Sequence, residues 1–327
     1  MQLLKILPTI TNQRFILPFY HAVANNAPIH LKHLYNVRGI NKFKDDLDFL
    51  LKIYTPVSIN DIYNHLHGIK KLPRYSFFIS FDDGLREFKE FAWPVLKQKG
   101  IAAALFVNPV FIDNKELFFR FKASILIDFI KQTQNTKILN EANKLFSSII
   151  ESVNDLEGFV RKINFAQSQF LNDLAVYFNI DFNDYLKKHR PYLSKSELIE
   201  LKGQGVHIGA HSMNHPMFNQ LEHAEQLSEL QQSVDWVKAN FNQKTYTFAF
   251  PFTDYGIGSK FFDTVYNPKK PLAELTFGTA GLKKEKFGHH FQRIPVEDYN
   301  TSMQQLLRHQ YLYYLAKAPL FKNTIKR

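Results

Sequence analysis

The sequence predicts an α/β fold, one parallel (β/α) barrel carrying a helical insertion, and three observations lead there. Short apolar runs recur along the chain, and each empties into a polar loop. Two of them, at 75–81 and 102–107, are joined by a helical stretch at 85–99 that Gly100 ends, which makes a β-α-β unit. Residues 111–193 are different: strand signals are few there and helical patterns dominate. At 327 residues and 45% hydrophobic, the chain is long enough to bury one large core.

The elements follow in order. Residues 15–23 read as a first strand. The stretch 41–53 is helical, with Phe43, Leu47, Leu50 and Leu51 on one side. A short helix over 60–66 opens at Ser58 or Asn60. The run Ser76-Phe77-Phe78-Ile79-Ser80-Phe81 is mostly apolar, as in a strand buried on both faces of a parallel sheet. Residues 111–193 are helical in pieces such as 124–131 and 140–150. They leave what would be the C-terminal face of the barrel, well placed to wall or lid a site. After them, Ser194-x-x-Glu197 has the form of a capping box opening a helix over 195–204. A long helix follows at 222–241, then a strand over 246–250 leading to Pro251. The whole chain, 1–327, reads as a single barrel domain with the insertion inside it and a basic, aromatic helix at 302–327.

Two motifs carry the chemistry. Asp82-Asp83-Gly84 closes one apolar run, and His211-Ser212-Met213-Asn214-His215-Pro216 follows another, Val206 to Ala210. Acids at a strand end cannot be core residues unless they are paired, because an unpaired buried carboxylate is very costly. Neighbouring side chains there diverge, so one acid is free to bind a metal while the other faces a water. Gly84 permits a sharp turn. His211 and His215 stand four apart, and one helical turn would bring both imidazoles to one side. Pro216 excludes the interior of a long helix and favours a loop. Two imidazoles and a carboxylate, with a position left open, are the inventory of a hydrolytic metal site. Each motif alone is more often a solvated turn or a surface histidine pair; their joint placement after apolar runs favours the metal.

On these residues the chain resembles the polysaccharide deacetylases that carry the chitooligosaccharide-deacetylase (NodB-like) homology domain. Ser80-Phe81-Asp82-Asp83-Gly84 is similar to their first motif, His211-Ser212-x-x-His215-Pro216 to their second, and Phe248-Ala249-Phe250-Pro251-Phe252 to their third. The resemblance implies a distorted (β/α) barrel. It implies Asp82 as the general base and Asp83, His211 and His215 as ligands of a divalent metal, zinc first, with cobalt, nickel and iron compatible. The backbone N–H of Phe252, in the Pro251-Phe252 turn, would face the developing oxyanion.

Three departures matter. Most members supply the acid from a late Leu-x-His motif, and no acid is assigned to such a motif here. Leu17-Pro18-Phe19-Tyr20-His21-Ala22-Val23 instead resembles the Tyr-His opening of a circularly permuted branch, which makes His21 the candidate acid, with His289 or His290 in reserve. Ala249 stands where many members have an arginine. Gln292-Arg293-Ile294-Pro295-Val296 fits a later arginine segment, so Arg293 would pair with Asp82, or else serve as a surface ion-pairing residue. Thr253-Asp254 stands where the branch continues with glycine, which alters the loop beside the oxyanion site.

Composition sets the remaining bounds. With no cysteine, disulfides and thiolate metal sites are excluded. No apolar run reaches 18 residues, and the start lacks a signal-peptide pattern, so a cytoplasmic location is expected. The formal charge is +11, and residues 257–327 hold 12 Lys/Arg against 5 Asp/Glu. Their helix at 302–327 either rests on an anionic membrane or packs on the barrel with its basic side wet. Nucleic acid fits less well, since no recognition motif accompanies the charge. The expected function is metal-dependent removal of the N-acetyl group from an N-acetylated glycan, polymeric or lipid-linked. The alternative is a catalytically silent carbohydrate- or membrane-binding relative. A metal phosphoesterase is weaker, since a second metal would want more acids.

Overall fold

The computed structural model describes residues 2–146, 155–297 and 299–327. Eight parallel strands follow one hydrogen-bonded order: His290–Gln292, Leu275–Gly278, Thr247–Ala249, His207–Ala210, Ala103–Val107, Ile79–Phe81, Pro18–Tyr20 and Ile294–Pro295. The first and last of these are separated in the chain by Arg293 alone. Residues 290–295 therefore act as one stave, bonded to Leu275–Gly278 along its first half and to Pro18–Tyr20 along its second. The sheet comes round into a nearly closed barrel of seven staves.

Strand alternation sorts the side chains into two layers. Phe77, Ile79, Phe81, Ala103, Leu105 and Val107 face outward into the helical layer. Phe78, Ala104, Phe106, Ala249, Leu275 and Phe277 fill the barrel interior. Because both faces are buried, the strands read as near-continuous apolar runs. The same alternation sends Ser80 and Asp82 to the inside with Phe78, and this later places Asp82 beside Arg293.

Several expected elements are shorter or interrupted. The runs 15–23 and 75–81 each divide in two, since Phe15–Ile16 pairs with Ser76–Phe77 while Pro18–Tyr20 pairs with Ile79–Phe81. The extra strand Thr55–Pro56 takes the far side of Ser76–Phe77, where Ala103–Val107 has not yet begun to pair. The expected helix over 85–99 contains a π-helical turn, Phe88–Ala92, before Trp93–Gln98. Pro94 has no N–H for an i→i−4 bond, and the wider turn absorbs that loss. The helix Ile59–Leu66 opens at Ser58 and Lys195–Gly203 at Ser194, each with a full capping box.

The insertion builds a second core of its own. Helices Phe119–Gln132, Leu156–Lys162 and Gln169–Tyr177 gather Phe121, Leu126, Phe159, Leu171 and Leu174 into one buried cluster. The helix expected over 140–150 corresponds to Thr136–Phe146, and its last part lies outside the described residues. At the other end, helix Met303–Lys317 buries Met303, Leu306, Leu307, Tyr311 and Tyr314 and packs on Ile40–Leu51 and on an N-terminal helix, Gln2–Ile10. Tyr311 Oη also donates to the Gln13 carbonyl at 2.7 Å. Among the described residues, no helix is long and apolar enough to cross a membrane.

Candidate active site

All the staves run one way, so their C-terminal ends gather at one mouth of the barrel, and the site forms there. Ile79–Phe81 delivers Asp82 and Asp83. His207–Ala210 delivers His211, and the loop after it delivers His215. The backbone is bent hard at these points. Asp83 (φ 71°), Ser212 (64°), His215 (56°) and Phe252 (55°) all occupy the left-handed region without being glycine. Such conformations cost on the order of 1 kcal/mol each and persist where surrounding contacts enforce them. The turn at Asp83-Gly84, also left-handed at Gly84, aims the two acids in different directions. Asp82 stays in the barrel, whereas Asp83 faces the histidines.

The loop bearing the histidines is held from three sides. Asn108 Nδ2, fully buried, donates to the carbonyls of His211 and, at 3.2 Å, of Ser212. Ser212 Oγ accepts the His215 N–H at 3.1 Å. Glu229 accepts the N–H of Met213 at 2.7 Å and the Asn214 amide at 2.9 Å. His211 Nδ1–H donates to the Ala249 carbonyl at 2.8 Å, which fixes the tautomer and leaves Nε2 bare. Burial pushes the His211 pKa down to about 4, so its ring is neutral at neutral pH.

Nε2 of His211 lies 3.6 Å and Nε2 of His215 3.3 Å from the same oxygen, Asp83 Oδ1. That oxygen is buried and has no hydrogen-bond partner. Metal–ligand bonds of about 2.0–2.2 Å at tetrahedral angles put neighbouring donors roughly 3.4 Å apart. The trio therefore fits a divalent cation: its spacing is right, the His211 tautomer leaves Nε2 bare, and the carboxylate oxygen is spent on nothing else.

Asp82 is organised differently. Arg293, fully buried, grips it with Nη1 to Oδ1 at 2.7 Å and Nη2 to Oδ2 at 2.8 Å, while Nη1 also reaches Ser80 Oγ at 3.0 Å. The guanidinium lies over the rings of Phe19, 4.2 Å from the centroid, and Phe106. Burial alone would raise the Asp82 carboxyl, but the Arg293 charge outweighs it, with His211 adding to the effect, and holds it below the usual carboxylate range. Arg293 is thus the interior partner of Asp82, and the surface ion-pairing reading is set aside. Its neighbour in space, His211 Nε2, is 3.8 Å from Asp82 Oδ2.

His21 sits at the end of its stave, with its side chain a quarter exposed. Its Nδ1–H donates to Glu297 Oε2 at 2.5 Å, and the N–H groups of His21 and Ala22 bond the same carboxylate. Burial would lower the imidazole pKa, but Glu297 outweighs it and pushes the value up to about 9. Nδ1 is taken, so Nε2 is the atom free to give a proton. Tyr35 stacks on the ring at 4.7 Å, and its hydroxyl is buried without a partner. His290, a reserve acid, is bonded to Thr276 Oγ1 at 2.6 Å and Asp254 at 3.0 Å, and neither it nor His289 lines the cavity.

These groups share one cavity of about 440 Å³, whose lining includes His21, Tyr35, Asp82, Asp83, His211 and His215. Its roof comes from the insertion, where the Phe118 ring packs 4.4 Å from that of His215. Phe252 adjoins it, its ring 4.6 Å from that of His215 and 6.2 Å from that of Phe118. The Phe252 N–H has no acceptor among the described residues. Pro251 shapes the turn but does not itself line the cavity. The unusual Asp254 is not a substrate group. It is buried, accepts the Thr279 N–H at 3.2 Å and Gln292 Nε2 at 2.8 Å, and pairs with Arg327. Thr279 Oγ1 in turn donates to the Phe252 carbonyl at 3.1 Å, which ties Asp254 to the turn. Asp254, Glu285 and His290 also have metal-like spacing, but the Arg327 guanidinium already bonds both carboxylates.

A polysaccharide deacetylase family model matches residues 158–259, a span that holds both histidines and the third motif. Over that span, about a third of its length, the chain is similar to the polysaccharide deacetylases. Solved structures share its fold at low identity. Deacetylase PplD of Streptococcus pyogenes, in complex with acetate, is 16% identical over 90% of this chain and 96% of that one, with a TM-score of 0.55. IcaB of Ammonifex degensii is also 16% identical, over 91% and 97%, at 0.55. A de-N-acetylase of Aggregatibacter actinomycetemcomitans is 12% identical, over 89% and 98%, at 0.55. No protein of curated function matches the sequence. Asp82, Asp83, His21 and Arg293 lie outside the matched span, so a polysaccharide deacetylase reading of those four rests on their geometry.

Glu297, Asn108, Glu229 and Tyr35 escaped the sequence reading. Only Glu297 had a signal, standing four residues after Arg293 on the far side of Ile294-Pro295-Val296. A strand crossing from one neighbour to the other presents Arg293 and Glu297 to the same mouth.

Proposed function

We propose that the protein hydrolyses the N-acetyl group of an N-acetylated glycan in a metal-dependent reaction. The observation that carries this reading is the Arg293-gripped carboxylate of Asp82 beside the Asp83, His211 and His215 trio in one cavity. A divalent cation held by that trio, zinc first, would polarise the acetamide carbonyl and acidify water. Asp82, kept ionised by Arg293, accepts a proton from the attacking water. The Phe252 N–H faces the carbonyl oxygen as its charge builds. His21, charged through Glu297, gives the proton on Nε2 to the departing nitrogen. Phe118 and Phe252 keep bulk water away. The C–N bond breaks, and acetate and a free amine leave.

Two measurements test this together. Metal-stripped protein titrated with zinc by calorimetry is expected to show one tight site, absent from His215→Ala. The loaded protein is expected to release acetate from N-acetylated oligosaccharides. A zinc site without acetate release from any of them would favour the silent glycan-binding relative, and no zinc site would end the metallohydrolase reading.

The acid has its own signature. His21→Ala should retain zinc and slow turnover by about 10²–10⁴. In the wild type, rate should fall on the alkaline side as His21 loses its proton, at or below about pH 9, because a bound dication would draw that value down. Glu297→Gln removes the group that raises it and should move this limb to lower pH. An unmoved limb would detach His21 from the rate. The same pair also stabilises the fold: its contribution is complete below the ordinary imidazole value of 6.5 and is lost as pH rises through about 9.

Contact with an anionic membrane belongs to the proposal as a separate element. Leu320 and Phe321 are exposed beside Lys317 and Lys322. Sedimentation with phosphatidylserine vesicles but not neutral ones would support it, and no sedimentation with either would remove it.

A further inference from the structure

The cavity wall carries several basic side chains outside the metal trio, and all but one are bonded to a carboxylate of the protein. His21 is bonded to Glu297. His33 pairs with Asp128 at 3.0 Å, and Arg161 pairs with Glu157 at 2.7 Å. Arg120 differs. Its guanidinium lines the same cavity, yet no carboxylate pairs with it among the described residues. Nη1 donates to the Arg161 carbonyl at 2.9 Å, the plane lies by the Phe119 ring at 5.0 Å, and its other donors have no acceptor. It is only partly exposed, and burial lowers its pKa with nothing to compensate. A half-desolvated guanidinium without an anion is costly to keep, and a planar donor fork is shaped for two oxygens of one oxyanion.

Its position is also fixed. Arg120 stands in the first turn of Phe119–Gln132, whose entry is pinned by the Phe118 N–H donating to Tyr192 Oη at 3.0 Å. Phe118 touches His215, and the Phe119 ring is 6.5 Å from that of Phe252. The guanidinium is therefore carried by the same short segment that walls the metal trio and the oxyanion turn. A cavity of about 440 Å³ holds more than an acetamido group, so one ligand can span both.

We infer that Arg120 forms an oxyanion subsite, and that the substrate is an N-acetylated sugar bearing a phosphate or a carboxylate rather than a neutral glycan. This rests on the deacetylase reading of the neighbouring trio, and it names the substrate class for that site.

The test is calorimetric binding to the zinc-loaded protein of three probes: N-acetylglucosamine, N-acetylglucosamine 1-phosphate and N-acetylmuramic acid. An anionic probe is expected to bind at least about tenfold tighter than the neutral sugar, from charge-assisted bonds to Arg120. That advantage should vanish in Arg120→Ala and return in part in Arg120→Lys. Which probe gains tells phosphate from carboxylate. Equal binding of all three would overturn the inference. So would an advantage that survives in Arg120→Ala, since it would mark the anion as sitting on the zinc. Acetate release by the wild type is measured in parallel. Its failure would strike the deacetylase reading, while the binding result would still decide the role of Arg120.

Discussion

Asp82→Asn is expected to keep a zinc site of wild-type affinity and to lose about 10²–10⁴ in turnover. The substitution leaves Asp83, His211 and His215 in place, so the metal trio is untouched. It removes the carboxylate that faces the trio and is held ionised by Arg293. An amide of the same shape cannot accept the water's proton. Its NH₂ would also meet a guanidinium donor head-on, so a modest loss of stability accompanies the loss of rate. Zinc titration and acetate release on one preparation separate the two effects. Turnover at the wild-type level would remove Asp82 as the base.

Arg293→Ala should act on the fold as much as on the rate. Both members of the pair are buried, with Arg293 fully enclosed between Phe19 and Phe106. Deleting one partner strands a carboxylate inside the barrel, and such breaks cost about 3–5 kcal/mol. Urea unfolding measures it directly. A loss under about 1 kcal/mol would mean that the Asp82 carboxylate is solvated without Arg293, and the account of a buried pair would fail. Arg293→Lys should recover little, because an ammonium cannot bond both carboxylate oxygens and Ser80 while lying flat on two rings.

The two motifs were legible because each is local. Asp82-Asp83-Gly84 and His211 to Pro216 announce themselves within six residues, at the ends of apolar runs whose burial the composition already implied. His21 was also read as a candidate, through the residues around it. Its partner Glu297 was not, because 276 residues separate them and only the closing stave at 290–295 brings them together. Asn108 and Glu229 are of the same kind, each holding a loop that begins more than a dozen residues away. Arg120 lies in the insertion, where helical periodicity predicts a helix and says nothing about what that helix covers. In the basic C-terminal fifth Arg293 was expected either on Asp82 or at the surface and is spent inside on Asp82, while Arg327, for which no partner was expected, is spent on Asp254 with Glu285.

The sequence by itself determined the α/β class, the strand ends that bear the acids and histidines, and the ligand types available, because alternation, turn residues and strand burial are short-range properties of the chain. Which acid faces the two histidines, whether Arg293 holds the other acid or sits at the surface, what raises His21, and what the insertion presents to the cavity were decided only by the tertiary structure. Those depend on which staves meet when the sheet closes, and an electrostatic partner is chosen by distance in space, to which a linear pattern gives no access.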